Sequence, residues 1–393
     1  MTSRKKSIVR RTPFPESVSR PVVNPIAPSV VYASASADQL DAQYEGEVDG
    51  FTYAREGHPN ASVLARKIDQ LEGVDGGLIT SSGMSALSAV MLALLSSGDQ
   101  IVAGDQLYGR SLKMMRHDLP RFGIESTFVD PADPKGIEAA IGPNTKMLVF
   151  ETVANPTLRV ADMVAIAKIA EERKLLLVVD NTFTTPRAFN PFEHQADVVI
   201  HSVTKLLAGH SDVTLGYVVA RDSERQRSII DAAVTWGLTP SPFDCWLAER
   251  GLHSFELRYD RAQSNAATLA DRLADLAGVE TVLYPGRTDH PDHALAKTML
   301  GDNFGNMVSF RIAGGREAAN RLIRAATNIP FAPTLGDVAT TLSHPASSSH
   351  RGLTPEERAA IGITEGFFRV SVGIEDVELI GDELSTAIAE SVA

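Results

Sequence analysis

Short apolar runs and amphipathic stretches alternate along most of this chain. Strand-like runs occur at 100–103, 126–129, 147–150, 175–179, 198–201 and 215–219. Stretches with helical spacing fall between most of them, at 85–95, 112–122 and 162–173. Ahead of these, Val63, Leu64, Ile68 and Leu71 share one helical face over 62–72, which Gly73 closes. Buried strands alternating with helices predict an α/β sheet with helices on both faces. The strands are too unlike one another for an eightfold barrel.

The texture differs at both ends. The first fifty residues are rich in Pro, Ser and Val with weak periodicity, so 1–60 reads as an arm rather than a packed unit. Around 236–242 Gly, Pro and Thr interrupt the alternation, and a long helical stretch runs from 252 to about 276. Strand-like 307–312, a helix over 316–326, strand-like 368–372 and a last helix over 377–389 follow. The arm thus leads into a large domain over 61–250. The connecting helix and a smaller α/β domain occupy 251–393.

Composition removes several classes of function. The 393 residues carry a net charge of −12, from 37 Lys+Arg against 49 Asp+Glu. Nucleic-acid binding needs a basic surface, so it is disfavoured. The longest apolar run, near 87–95, is about half the ~18 residues of a membrane span. Cys245 is the only cysteine, which excludes an intrachain disulfide and a Cys-based zinc site and fits a reducing, cytoplasmic setting. The basic cluster Arg4, Lys5, Lys6, Arg10 and Arg11 has no apolar segment after it. It reads as a solvated tail, with a transit peptide as the alternative and a secretory signal excluded.

Three stretches carry chemistry. In DVVIHSVTKLLAGHSDVTLGYVV (197–219), an apolar strand ends in a turn holding Ser202, Thr204 and Lys205. A lysine there sits where open α/β sheets bind ligands, and a desolvated amine can form a Schiff base. In LLLVVDNTF (175–183), Asp180 ends an apolar strand, where a carboxylate is costly unless paired. A protonated pyridine nitrogen is one partner; a cap or a metal ligand are the other readings. In TSSGMSAL (80–87), Ser81, Ser82 and Gly83 precede a helix whose free N–H groups suit a phosphate, or the serines simply cap it. A phosphate cradle, a strand-end carboxylate and a lysine with hydroxyl neighbours together meet the requirements of pyridoxal 5′-phosphate (PLP). Tyr108 in DQLYGR could stack on its ring.

The chain resembles the trans-sulfuration (Cys/Met metabolism) family of PLP enzymes from about residue 25 to its C-terminus. That family includes cystathionine γ-synthase, cystathionine γ- and β-lyases, methionine γ-lyase and the homoserine-ester sulfhydrylases. The markers are YAREGHPN, SSGMSAL, DQLYGR, ETVANPT, VVDNTFTTP, HSVTKLLAGHSD, SPFDCWLAERGL, TLGD, SHPASSSHR and FFRVSVGIED. The resemblance implies PLP fold type I, the aspartate aminotransferase-like α/β fold. Its central sheet is mixed and mostly parallel, with a smaller C-terminal α/β domain. It implies that Lys205 carries PLP and shuttles protons, Asp180 pairs with the pyridine nitrogen, and Tyr108 stacks on the ring. Gly83, Met84, Ser202 and Thr204 then hold the phosphate. Asn155, Thr334 and Arg369 hold the substrate, Arg369 as a bidentate fork for the α-carboxylate. Tyr53 and Arg55 match a pair donated to the neighbouring subunit's phosphate, which implies a homo-oligomer, a dimer of dimers.

The expected reaction is γ-replacement or γ-elimination on a γ-substituted amino acid of the homoserine or sulfur amino acid type. Departures from the family pattern bear on specificity. His58-Pro59-Asn60 stands where Asn-Pro-Thr is usual, Arg110 where Gly, Ser, Thr or Cys follows Tyr-Gly, and Ala339 where cystathionine γ-enzymes carry Glu. Glu45, Glu47 and Asp49 could favour a cationic side chain such as that of canavanine, or form a solvated acidic loop. A PLP-binding regulator without turnover is the remaining alternative. Ser202-Val203-Thr204-Lys205 matches S-x-x-K of serine acyl-enzymes but lacks its companion motifs. His290 and His293 read as a surface turn rather than a metal site, and Cys245 as a packed thiol.

Overall fold

A computed structural model describes residue 15 and residues 17–392. The basic cluster Arg4–Arg11 lies outside the described residues. Eleven strands form among them: β1 Leu78–Thr80, β2 Gln100–Gly104, β3 Glu125–Val129, β4 Thr145–Glu151, β5 Leu176–Asp180, β6 Val198–His201, β7 Gly216–Ala220, β8 Val279–Leu283, β9 Met307–Ile312, β10 Thr341–Ser343 and β11 Phe367–Ser371. The first seven make one sheet in the order β1-β7-β6-β5-β4-β2-β3, and the last four a second in the order β10-β11-β9-β8. In the large sheet β7 is antiparallel to both neighbours and the other pairings are parallel. This is the mixed, mostly parallel sheet of PLP fold type I.

The strand interiors are apolar on both faces because helices cover both. Val178, Val198 and Ile200 pack on one face with Leu87, Val90 and Met91 of the Gly83–Leu94 helix. Val179, Val199 and Tyr217 pack on the other with Leu64 and Ile68 of the Pro59–Glu72 helix. Each is 3% exposed or less, and full burial of such a side chain contributes roughly 1.5–3 kcal/mol. The small sheet has its own core, centred on Phe310, Phe368, Val370 and Leu384.

Several elements differ from the sequence reading. The helical stretch from 252 to about 276 is one helix, Phe255–Ala274, and a further helix unread in the sequence, Pro242–Leu252, precedes it across a break at His253–Ser254. The 112–122 helix is a short α-helix, Gly109–Lys113, a π turn and a 3₁₀ turn, since Pro120 cannot continue the α ladder. Among the described residues ahead of the Pro59–Glu72 helix, the arm holds one helix, Ala37–Tyr44, capped by Ser36, and none of that helix's side chains is buried. At its root Asn24 bonds Glu249 and Trp246, so it rests on the Pro242–Leu252 helix. His290 does not lie on a surface turn: it is 3% exposed, its Nδ1 accepts from Asp292 N, and burial lowers its pKa to about 4. Asp292 in turn accepts from Arg159 Nε at 2.6 Å. His293 Nδ1 meets Pro285 O.

Candidate active site

The parallel strands β2, β4, β5 and β6 all end at one edge of the large sheet. Two successive antiparallel pairings make β1 run the same way as β6, so Ser81–Gly83 also reaches that edge. Open α/β sheets bind ligands there. Asp180 ends β5, Glu151 ends β4, and Ser202–Lys205 follows β6. From the small domain, β11 brings Arg369, and the 334–340 segment lies along the turn after Lys205. Gly336, at φ +81°, passes so close that a Cβ would stand 2.6 Å from Leu206 N, and Val338 N donates to Gly209 O. Buried Arg258 donates to Leu206 O, Leu207 O and Gly251 O, pinning the same turn to the interdomain helix.

Lys205 Nζ is 3.5 Å from Thr334 Oγ1. Burial, and then the Arg369 charge, lowers its pKa to about 8, so about one amine in ten is neutral at pH 7. Arg369 is 5% exposed. It donates to Asn155 Oδ1 through Nη1 and to Thr334 O at 2.6 Å through Nη2, and its buried Nε has no partner. Burial pushes this guanidinium down to about 10. Asn155, Thr334 and Arg369 are therefore one hydrogen-bonded group with a free donor.

Asp180 Oδ1 accepts from Thr182 Oγ1 at 2.6 Å and from Thr182 N at 3.1 Å. Burial raises its pKa against these two bonds and against His201. Among the described residues no cation pairs with it. Gly83 opens its helix behind the Ser82 cap, whose hydroxyl accepts from Ser85 N. A Cβ at Gly83 would lie 2.8 Å from Ser202 Cβ, so the helix start and the Ser202 turn touch. Ser202 N donates to Thr182 Oγ1, while its hydroxyl bonds no described residue. The Thr204 hydroxyl donates to Leu215 O and accepts from Leu215 N, which fixes the turn and commits its proton. Met84 is half-buried beside Ser111.

Tyr108 is 42% exposed at the cleft mouth. Its backbone N–H donates to Glu151 Oε1 at 2.7 Å. A Cβ at the next residue, Gly109, would come within 2.1 Å of Ser349 O, so the SHPASSSHR loop closes against it. Tyr53 and Arg55 are exposed; Arg55 lies over the Tyr53 ring at 5.3 Å, with Glu56 3.7 Å away. Among the described residues neither bonds the Gly83–Met84 or Ser202–Thr204 segments.

Three groups escaped the sequence reading. Glu151 closes the apolar run MLVF as Asp180 closes LLVV, so the same signal was present. Thr182 and the Glu72–His201 contact beneath the sheet left no pattern in the sequence.

These residues suit PLP. A half-buried carboxylate without a cation matches a protonated ring nitrogen, and an unpaired Arg369 Nε–H matches a carboxylate. A glycine at a helix start against a free hydroxyl matches a phosphate. Among the described residues no group of three or more His, Cys, Asp or Glu could hold a metal ion, and no helix is long and apolar enough to cross a membrane.

Known proteins agree with this chemistry. A family model described as Cys/Met metabolism PLP-dependent enzyme matches residues 7–389. An L-methionine γ-lyase of Porphyromonas gingivalis is 39% identical, covering 91% of this chain and 90% of that protein. An O-succinylhomoserine sulfhydrylase of Pseudomonas aeruginosa is 37% identical, covering 91% and 88%. The crystal structure of a cystathionine γ-synthase from Xanthomonas oryzae pv. oryzae, in complex with aminoacrylate and cysteine, superposes with a TM-score of 0.89. It is 35% identical and covers 94% of each chain.

Proposed function

The chain belongs to the Cys/Met metabolism family of PLP-dependent enzymes, and from that premise we propose that it breaks the Cγ–X bond of a γ-substituted L-amino acid. A thiol then replaces X, or elimination of HX followed by hydrolysis of the resulting imine with water leaves a 2-oxo acid and ammonia. The observation that carries this reading is Lys205: a half-buried amine of lowered pKa, beside Thr334 and close to the Arg369–Asn155 group.

Bound at this edge, PLP supplies an electron sink for negative charge at the substrate's Cα and then Cβ. Asp180 would keep the ring nitrogen protonated. Gly83 and Met84 N–H groups with the Ser202 hydroxyl would hold the phosphate, and the Thr204 hydroxyl would hold their turn in shape. Arg369 would take the substrate carboxylate through its free Nε–H and one Nη, with Asn155 and Thr334 keeping the fork in plane. Lys205 would take the proton from Cα and return one farther along the chain, which a partly neutral amine can do near pH 7. Tyr108 would cover the ring and act as the second acid or base. Tyr53 and Arg55, exposed and without a bond to their own chain's phosphate segment, would complete the site of a second copy. The assembly is then a homo-oligomer, a dimer of dimers, working in the cytoplasm.

The test is a substrate panel: acylated homoserines with and without a thiol, cystathionine, methionine and canavanine, with products read by mass spectrometry. A thioether from the homoserine ester plus thiol, or a 2-oxo acid and ammonia from any of them, is expected. Turnover confined to β-substituted amino acids, or none, overturns the reading.

A further inference from the structure

Glu151 and Asp180 end adjacent parallel strands in direct register. Side chains opposite one another in a ladder share a face, and neighbouring strands lie about 4.8 Å apart. The two carboxyls are therefore neighbours at the cleft floor, on the face that also carries Val149 and Val178. Protein encloses both, yet each keeps part of its surface toward the cleft. Their surroundings differ. Asp180 has the Thr182 hydroxyl and amide, with His201 nearby. Glu151 has backbone donors only, Tyr108 N at 2.7 Å and Asn155 N. The titratable group facing Glu151 is Asp180 from β5, and Tyr108, from the turn after β2, meets it through its backbone N–H. Among the described residues no Lys, Arg or His pairs with it.

Two adjacent carboxyls of this kind do not both ionise; one keeps its proton. Burial and the Asp180 charge push Glu151 well above the usual carboxylate range. Asp180 has the better donors for an anion.

We propose that Glu151 is a positioning residue that works as a proton-bearing carboxylic acid. Its Oε1 sets where Tyr108 stands, and its neutrality leaves Asp180 the single negative charge opposite the ring nitrogen. This rests on the PLP reading above, but its first readout needs no turnover. Infrared difference spectroscopy between wild type and Glu151→Gln, on apo and PLP-loaded protein, should show a protonated-carboxyl C=O band present only in the wild type. A carboxylate band lost instead overturns the proposal. In the loaded enzyme, the pH midpoint of the bound-PLP absorbance should stay within about 0.3 unit in Glu151→Gln, since no charge is removed. A fall of about one unit or more means that an anion was lost, and overturns it. For kcat, Glu151→Gln keeps the acceptor and should lose about three- to tenfold, while Glu151→Leu frees Tyr108 and should lose about a hundredfold. Equal losses overturn the positioning role. If the Leu variant does not fold, the Gln spectra decide alone, and failure of PLP itself to bind wild type would fault the PLP reading instead.

Discussion

The same sheet carries two acidic clusters, a buried one on one face and a half-buried one on the other, and they are built to opposite rules. Beneath the sheet Glu72 meets His201, and Asp69 accepts from the Tyr217 hydroxyl at 2.6 Å and from Gly76 N and Gly77 N at 3.1 Å. That cluster pairs both carboxylates with neighbouring side chains or amides, leaves only Glu72 Oε2 and His201 Nδ1 without a partner, and ties the Pro59–Glu72 helix to β6 and β7. At the strand ends Asp180 and Glu151 stand side by side with hydroxyl and amide donors and no cation among the described residues. A polar group completed from within belongs to stability; one left short of a counter-charge belongs to a ligand.

Asp180→Ala and Glu72→Ala should therefore fail in different ways. Asp180→Ala should lose about a thousandfold in kcat, because its charge acts on the transition state more than on the bound ground state. Its apo form should melt no lower than wild type. Glu72→Ala should do the reverse, losing about 3–5 kcal/mol by denaturant unfolding, since it strips the partner from buried His201. Its folded fraction should keep kcat within about threefold, a loss no larger than one hydrogen bond's net worth. Matching losses in both measurements for both variants would erase the distinction.

Lys205 extends the same contrast to pH. Its folded pKa of about 8 lies below the unfolded value of 10.5. Between these values the unfolded chain holds the extra proton, so stability rises with pH across that window and is penalised in full below pH 8. Apo Lys205→Met should then be more stable than wild type by about 3 kcal/mol below pH 8, the gap closing toward pH 10.5. Equal stability at pH 7 would contradict the burial cost. The smallest expected signal is complementation between subunits. Arg55→Ala and Lys205→Ala, each inactive, should on subunit exchange regain about a quarter of wild-type activity. Half of the dimers are mixed, and each of these has one intact site. Exchange proven by mass spectrometry with no activity would place Arg55 within its own subunit's chemistry or outside it altogether.

The strands that position the site were legible because they are buried on both faces and read as apolar runs; β6 spans the same four residues in sequence and structure. Thin or polar elements were not. β1 is three residues long, and the Ser223–Thr235 helix, SERQRSIIDAAVT, shows only a narrow apolar stripe. Asp180 and Lys205 stood out because a charge ends an apolar run. Glu151 does the same, but the strand reading stopped at Phe150, and nothing local shows that its neighbour across the ladder is another carboxyl. The partners of Thr204, Arg369 and His201 lie 11 to 214 residues away along the chain. Pairings at those separations follow from topology, which hydropathy does not report.

The central claim is that the half-buried amine of Lys205 carries the cofactor, and one measurement reaches it directly. The purified protein, loaded with PLP, is reduced with borohydride, digested and sequenced by tandem mass spectrometry. The account predicts a stable pyridoxyl adduct on the Lys205 Nζ and no other lysine. An adduct on an exposed lysine such as Lys113, or no adduct from a protein that has bound PLP, would contradict it.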